Sequence, residues 1–386
     1  MGLLKTQNVP QAIHNGAMNC VQAAVSKGMD HAQKIELISQ LNYLDVVAYF
    51  QAMPKPELDI NTCDDAAERR VEQFHQIIAG SLNRLGVWAL ELKGHANELL
   101  GGNQAAVTAY EQIFSKIIEL SIQRLDTSRP RIGLPIAEML TQYLRAQQKL
   151  KDASEDPVAH GHICSIVTIL MKRLPMPEWF LEMGGHTGNV NDWTDGRCNE
   201  QAAYREVQIG MFGRLCCYKP LRMELLHHIA SVFDQLDLQN AAPTVAEVPL
   251  TMMVTLSNEI SAEQKEAKDD NPVYQLVKHI FPKDLLHSPA ITRHCLPFCR
   301  LLEMYYRFSI FFKGQQATML IDTFFLDDAV LRPNVMQNGK IDREGNIQVV
   351  RDVVINLQRL VSRAVKDLSQ VEGFLERVTQ FAIMIL

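Results

Sequence analysis

The run Val25-Ser26-Lys27-Gly28-Met29-Asp30, followed by Lys34, Leu37 and Leu41, decides the reading of this chain. It is a helix stop joined directly to a helix start. Gly28 can take the left-handed conformation that ends a helix, and the Asp30 side chain can cap the next one. Cys20, Val21 and Ala24 fall at i, i+1 and i+4 before the turn, and Ile35, Ile38 and Leu41 repeat after it. Two apolar-faced helices joined by so short a turn pack antiparallel, which is the unit of an α-solenoid.

The same reading extends along the chain. Residues 53–61 carry Pro54 and Pro56 and read as a loop. Asp65-Ala66-Ala67-Glu68 reads as a capping box opening a helix toward Lys93, with Val71, Phe74, Ile77, Ile78, Leu82 and Leu85 on the helical period. Gly101-Gly102 precedes a helix over 104–125, whose apolar face holds Val107, Tyr110, Ile113, Phe114, Ile117, Ile118 and Leu120. A short loop with Arg129, Pro130 and Arg131 leads to a helix over about 134–150. Asp156-Pro157, Asn271-Pro272 and Ser288-Pro289 each place a capping side chain before a proline in the first helical turn. Thr244-x-x-Glu247 reads as a further capping box.

The expectation is all-α: roughly fourteen helices, mostly of about 15 to 25 residues, with no strand. The architecture predicted is an α-solenoid of HEAT-like antiparallel helix pairs. A first array covers 1–174, an inserted loop 175–199, and a second array, continuous with the first, 200–386. A second long loop falls at 331–346. No exact internal repeat is present, which argues against a regular tetratricopeptide or ankyrin array and leaves degenerate pairs of about 40 residues, or a compact bundle. The chain ends in an apolar helical stretch, with Phe374, Leu375, Val378, Phe381 and Ile385 on one face. Solenoid ends are ordinarily capped by a polar face, so these ends read as those of a fragment, of a truncated gene model, or of a chain whose ends a partner covers.

Composition narrows the function classes. With 47% hydrophobic residues over 386, the chain has ample material for a core. A net charge of −6 argues against a protein that coats nucleic acid over its whole surface, while leaving room for a basic inner face. Eight cysteines in a chain this long read as reduced core residues. No apolar run reaches the length of a membrane span, and residues 1–10 lack the apolar core of a secretory signal.

Candidate chemistry is sparse. In His160-x-His162-x-Cys164 only the first and last share a helix face, and no second ligand pair has zinc spacing. Cys295/Cys299 and Cys216-Cys217 read as packed thiols, and His227-His228 as surface or groove packing. The loops at 191–202 and 340–351 look superficially like calcium loops, but Trp193, Lys340, Ala202 and Arg351 stand where oxygen donors are needed. There is no phosphate loop, nucleophile elbow or dinucleotide fingerprint, so neither an enzyme nor a cofactor is expected.

Basic residues stand out more. Between Lys116 and Lys151 lie Lys116, Arg124, Arg129, Arg131, Arg145, Lys149 and Lys151 against Glu119, Asp126 and Glu138, a local excess of +4 in an acidic chain. Near the end, Arg359, Arg363 and Lys366 recur at i, i+4 and i+7. Such stripes suit phosphates, while the ordinary alternative is a solvated helix face.

Residues 19–41 also resemble a helical hairpin of the exportin-T family of tRNA exporters, in the importin-β-like superfamily, where a Lys-Gly-Met-Asp turn precedes a similarly Lys/Leu-spaced helix. Weaker, collinear similarity follows at Phe74, 85–92, 110–120, 143–150, the aromatic-rich Glu303-Met304-Tyr305-Tyr306-Arg307-Phe308, and Arg359 to Lys366. The stretches 184–199 and 331–346 depart from the pattern. The resemblance implies a curved helical stack that binds tRNA cooperatively with GTP-bound Ran, passes nucleoporins of the nuclear pore, and shuttles between nucleus and cytoplasm. It implies a middle region without the family's amino-terminal Ran-binding repeats. Taken with the local charge, it nominates Arg129, Arg131, Arg145, Lys149, Arg359, Arg363 and Lys366 as tRNA-facing cations. The rival expectation is a helical-repeat scaffold that binds proteins and no RNA.

Overall fold

In a computed structural model the described residues are 30–40, 42–52, 66–93, 95–127, 129–149, 157–182, 196–260, 268–311, 333–337 and 340–368, with isolated positions elsewhere. Gly28, Asp65, Asp156 and the apolar face at 374–385 lie outside them or hold no described side chain. Among the described residues the protein is all-α, with fifteen α-helices. Three of these are single turns, shorter than the sequence suggested.

The chain divides into two compact units, Met1–Arg173 with Glu206–Met211, and Leu174–Arg205 with Phe212–Leu386. In the first, α1 is His31–Gln40, α2 Tyr43–Ala52, α3 Ala66–Leu92, α4 Ala96–Leu99, α5 Gln104–Leu125, α6 Pro130–Lys149 and α7 Pro157–Arg173. The helix start at Asp30 is as read: its Oδ1 accepts from the Ala32 and Gln33 amides at 2.7 and 3.3 Å. Ile35 and Ile38 are buried, and Lys34 lies over the Trp88 ring at 5.0 Å. Helix α5 is the hub, touching α1, α2, α3, α4, α6 and α7. Its start is fixed by Asn103, whose side chain accepts from the Ala105 and Ala106 amides. Helices α3 and α6 pack closely because position 86 is glycine: a Cβ there would stand 2.6 Å from Met139 Cγ. The expected loop at 129–131 is shorter than predicted. Pro130 opens α6, where its fixed φ suits the first turn, so Arg131 is a helical residue.

The second unit holds α8 (Glu178–Glu182), α10 (Arg222–Gln235), α11 (Pro243–Glu259), α12 (Pro272–Ile280), α13 (Pro289–Thr292), α14 (Cys295–Phe308) and α15 (Arg343–Leu368). Helix α9 (Gly196–Cys217) contributes residues 206–211 to the first unit and the rest to the second. Helix α11 is buried on nearly every side and packs on α14, which packs in turn on α15. Asn271 caps α12 as expected, accepting from the Val273 and Tyr274 amides. Two expected caps are corrected. Helix α11 starts at Pro243, so Thr244 and Glu247 lie inside it, both buried, and make no capping box. Ser288 precedes α13, yet its hydroxyl donates to the Leu238 carbonyl at 2.6 Å instead of capping.

The loop expected at 331–346 holds a two-residue antiparallel pair, Met336↔Ile341 and Gln337↔Lys340, where no strand was foreseen. Helix α15 then begins within the range assigned to the loop, its first turn capped by Asp342, which accepts from the Gly345 amide at 2.9 Å.

Candidate nucleic-acid interface and an aromatic cleft

Helix α5 carries a stripe at Ile113, Ile117, Leu120 and Arg124, spaced i, i+4, i+7 and i+11. Arg124 continues that inward face and is 1% exposed, its Nη1 2.8 Å from His75 Nδ1 on α3. Burial pulls its guanidinium down to about 10, and its Nε and Nη2 have no hydrogen-bond partner among the described residues. Arg129 is half-buried and pairs with Glu72 on α3 at 3.4 Å. Lys116 meets Glu119 at 3.9 Å. Asp126 is engaged by Lys172 and Arg173 of α7. Burial pushes its carboxyl up, but the hydrogen bonds and charges of those two cations outweigh it and hold it low. Of the seven cations counted between Lys116 and Lys151, Arg124 and Arg129 are thus turned into the first unit.

Arg131 and Arg145 are exposed on α6. Fourteen residues apart, they lie about 21 Å along the axis on one side of the helix, with Lys149 one turn beyond Arg145. The Lys149 side chain is outside the described set, as are those of Arg363 and Lys366 on α15. Arg359 is exposed, its guanidinium 6.0 Å from the Tyr306 ring centroid. Four of the seven nominated cations belong to the first unit and three to the second.

The second unit holds a network that the sequence did not announce. Glu247, fully buried on α11, accepts from Arg205 of α9 and from the Thr251 hydroxyl. Arg300 of α14 approaches it at 3.7 Å and also meets Glu303 at 2.7 Å. Glu303 pairs with Arg307 at 2.7 Å, and Arg307 donates to Asn258. Burial raises the Glu247 carboxyl, yet the Arg205 and Arg300 charges outweigh it and leave it below the usual carboxylate range. These groups are consumed in tying α9, α11 and α14 together.

Among the described thiols Cys198, Cys216 and Cys295 are buried in the core as expected, Cys164, Cys217 and Cys299 are half-buried, and Cys20 is exposed. Cys295 and Cys299 stand 3.7 Å apart, and Cys217 donates to Glu259 at 3.0 Å. His160 contacts Cys164 at 3.6 Å, whereas His162 turns to the Tyr143 hydroxyl at 3.3 Å. Among the described residues no three His, Cys, Asp or Glu converge on a metal position.

A cleft of about 600 Å³ opens in the first unit between the ends of α3, α4, α5, α6 and α7. Tyr110 stacks on Phe114, which tilts against Tyr143. Lys93 Nζ lies 5.0 Å from the Phe114 ring centroid and 5.8 Å from that of Tyr143. Gln147 lines the cleft at 1% exposure, and neither its Oε1 nor its Nε2 has a hydrogen-bond partner among the described residues. Sequence reasoning missed it, though Gln147 ends the stripe Ile136, Leu140, Tyr143, just as Arg124 ends that of α5. Comparison with known protein families, curated proteins and solved structures finds no match for this chain.

Proposed function

We propose that this chain is part of a nuclear export receptor for tRNA. It binds tRNA cooperatively with GTP-bound Ran, passes the nuclear pore through contacts with nucleoporins, and so shuttles between nucleus and cytoplasm. The reading rests on the Asn19–Leu41 pattern, and the observation that supports it is the local role of those residues. Asp30 caps α1, Ile35 and Ile38 enter the core, and Lys34 covers Trp88. The exposed Arg131, Arg145 and Arg359 are the side chains through which a folded RNA would be held. Recognition would run through shape and backbone, because the A-form major groove is too deep for side chains to read.

A helical scaffold that binds proteins without RNA is the second reading. The commitment of Arg124 and Arg129 to the interior favours it, since each removes a cation from the surface. A pull-down with tRNA, with and without GTP-loaded Ran, separates the two. The export reading expects tRNA retained only, or far better, when Ran-GTP is present; the scaffold reading expects no RNA in either lane.

A further inference from the structure

Helix α15 has two contrasting faces. Val349, Val353 and Asn356 are buried on its inward side, and α14 packs on this helix. Glu344, Ile347, Arg351 and Val354, spaced three, four and three residues apart, form an exposed stripe on the other side. Ile347 is 69% exposed and Val354 40%, and Ile341, just before the helix, is 64% exposed. The start of α15 is tied to the short strand pair. The Asp342 amide donates to the Val335 carbonyl at 2.8 Å, and Asn346 Oδ1 accepts from the Val335 amide at 2.8 Å. Exposed apolar side chains of this size are usually scattered, whereas here they recur within about 20 Å along one helix.

We infer that this stripe is an interface with a second copy of the chain, packed antiparallel about a two-fold axis. The order of residues along the stripe carries the inference. About a point between positions 347 and 348, apolar Ile341 exchanges with apolar Val354, and acidic Glu344 exchanges with basic Arg351. A two-fold axis through that point, at right angles to the helix, sets Ile347 beside the partner's Ile347. It places Glu344 opposite the partner's Arg351, twice by symmetry, and brings Val354 to the end of the helix where the partner's Ile341 stands. Parallel pairing would instead set like charges on each other at both positions, so the charges choose the antiparallel mode. Neither Glu344 nor Arg351 has an ion pair among the described residues, so both are available for this exchange. A foreign partner would call for no such symmetry; a second copy does. The seam is short against the roughly 800 Å² per partner of a standard interface, so the dimer is weak, with a dissociation constant of about 10–100 µM. Arg359 lies about 120° around the helix from Ile347 and stays outside the seam.

The test is sedimentation equilibrium of the full chain from about 1 to about 300 µM, where a reversible monomer–dimer equilibrium is expected. Arg351→Glu and Glu344→Arg, both at exposed positions, set like charges across the seam and should each weaken the dimer about tenfold or more. Mixing these two variants restores opposite charges at both contacts and should return a dimer of near-parental strength. The chain carrying both exchanges together should do the same. The inference is overturned by a chain that stays monomeric at the highest concentration, its stripe then belonging under another protein or another part of the chain. It is equally overturned by a dimer indifferent to either single reversal, or by a mixture no stronger than its separate components. No outcome depends on tRNA or Ran, so failure here leaves the export reading untouched.

Discussion

Replacing Glu247 by alanine is the sharpest perturbation of the second unit. Its side chain is 0% exposed, that of Arg205 5% and that of Arg300 33%. Without the carboxylate, Arg205 keeps, among the described residues, its 3.3 Å bond to the Leu174 carbonyl and stays buried with no carboxylate against it. Breaking a buried pair in this way costs about 3–5 kcal/mol. Because the chain folds as two units, segment-resolved hydrogen exchange is the suitable readout. Protection of amides in α9, α11 and α14 should fall by about two to four powers of ten, while α3, α5 and α6 hold theirs. Glu247→Gln keeps size and hydrogen bonding and should lose about half as much. Glu247→Leu combined with Arg205→Met should regain most of the loss, since apolar groups of similar volume replace a buried pair at little cost. The sign of the pH dependence follows from the lowered Glu247 and Glu303 carboxyls. Their stabilisation is complete above the ordinary carboxylate range, near pH 4.5, and is lost as pH falls through their lower folded values. Unchanged exchange in α11 of the alanine variant, or an acid limb indifferent to Glu247→Gln, would refute this reasoning.

Three further outcomes are expected. Asn271→Ala removes the cap that holds the Val273 and Tyr274 amides and should destabilise α12 by about 1 kcal/mol, seen as faster exchange in its first turn. Arg124→Met should be neutral or stabilising by about 1–4 kcal/mol, because it removes a buried cation whose contact is His75 rather than a carboxylate; a large loss of stability in denaturant melts would contradict this. Charge reversal at Arg359 and Arg363 should weaken tRNA binding and flatten its salt dependence while sparing Ran binding, as filter binding at two salt concentrations would register.

Local signals carried most of the fold. Asp30 and Asn271 were legible because a cap acts on amides two or three residues away, within the reach of a sequence pattern. Thr244-x-x-Glu247 has the same local form and failed for a long-range reason. Pro243 starts the helix earlier, and the Glu247 carboxylate is taken by Arg205, 42 residues distant. Ser288 failed likewise, its hydroxyl drawn to Leu238 across 50 residues. Counting charge without phase hid two facts about the candidate sites. Arg124 entered the basic excess as a surface cation, and Gln147 went unnoticed, although each closes an apolar stripe that points inward. The ion pairs Arg129–Glu72 and Lys172–Asp126 join helices far apart in sequence and leave no periodic trace.

The most direct test of the account is the tRNA affinity of the full chain measured in a titration with and without GTP-loaded Ran, at low and moderate salt. The export reading predicts that Ran-GTP tightens tRNA binding, that tRNA tightens Ran-GTP binding by the same factor, and that both weaken as salt rises. Equal tRNA affinity with and without Ran-GTP, or no tRNA binding at either salt, would contradict it.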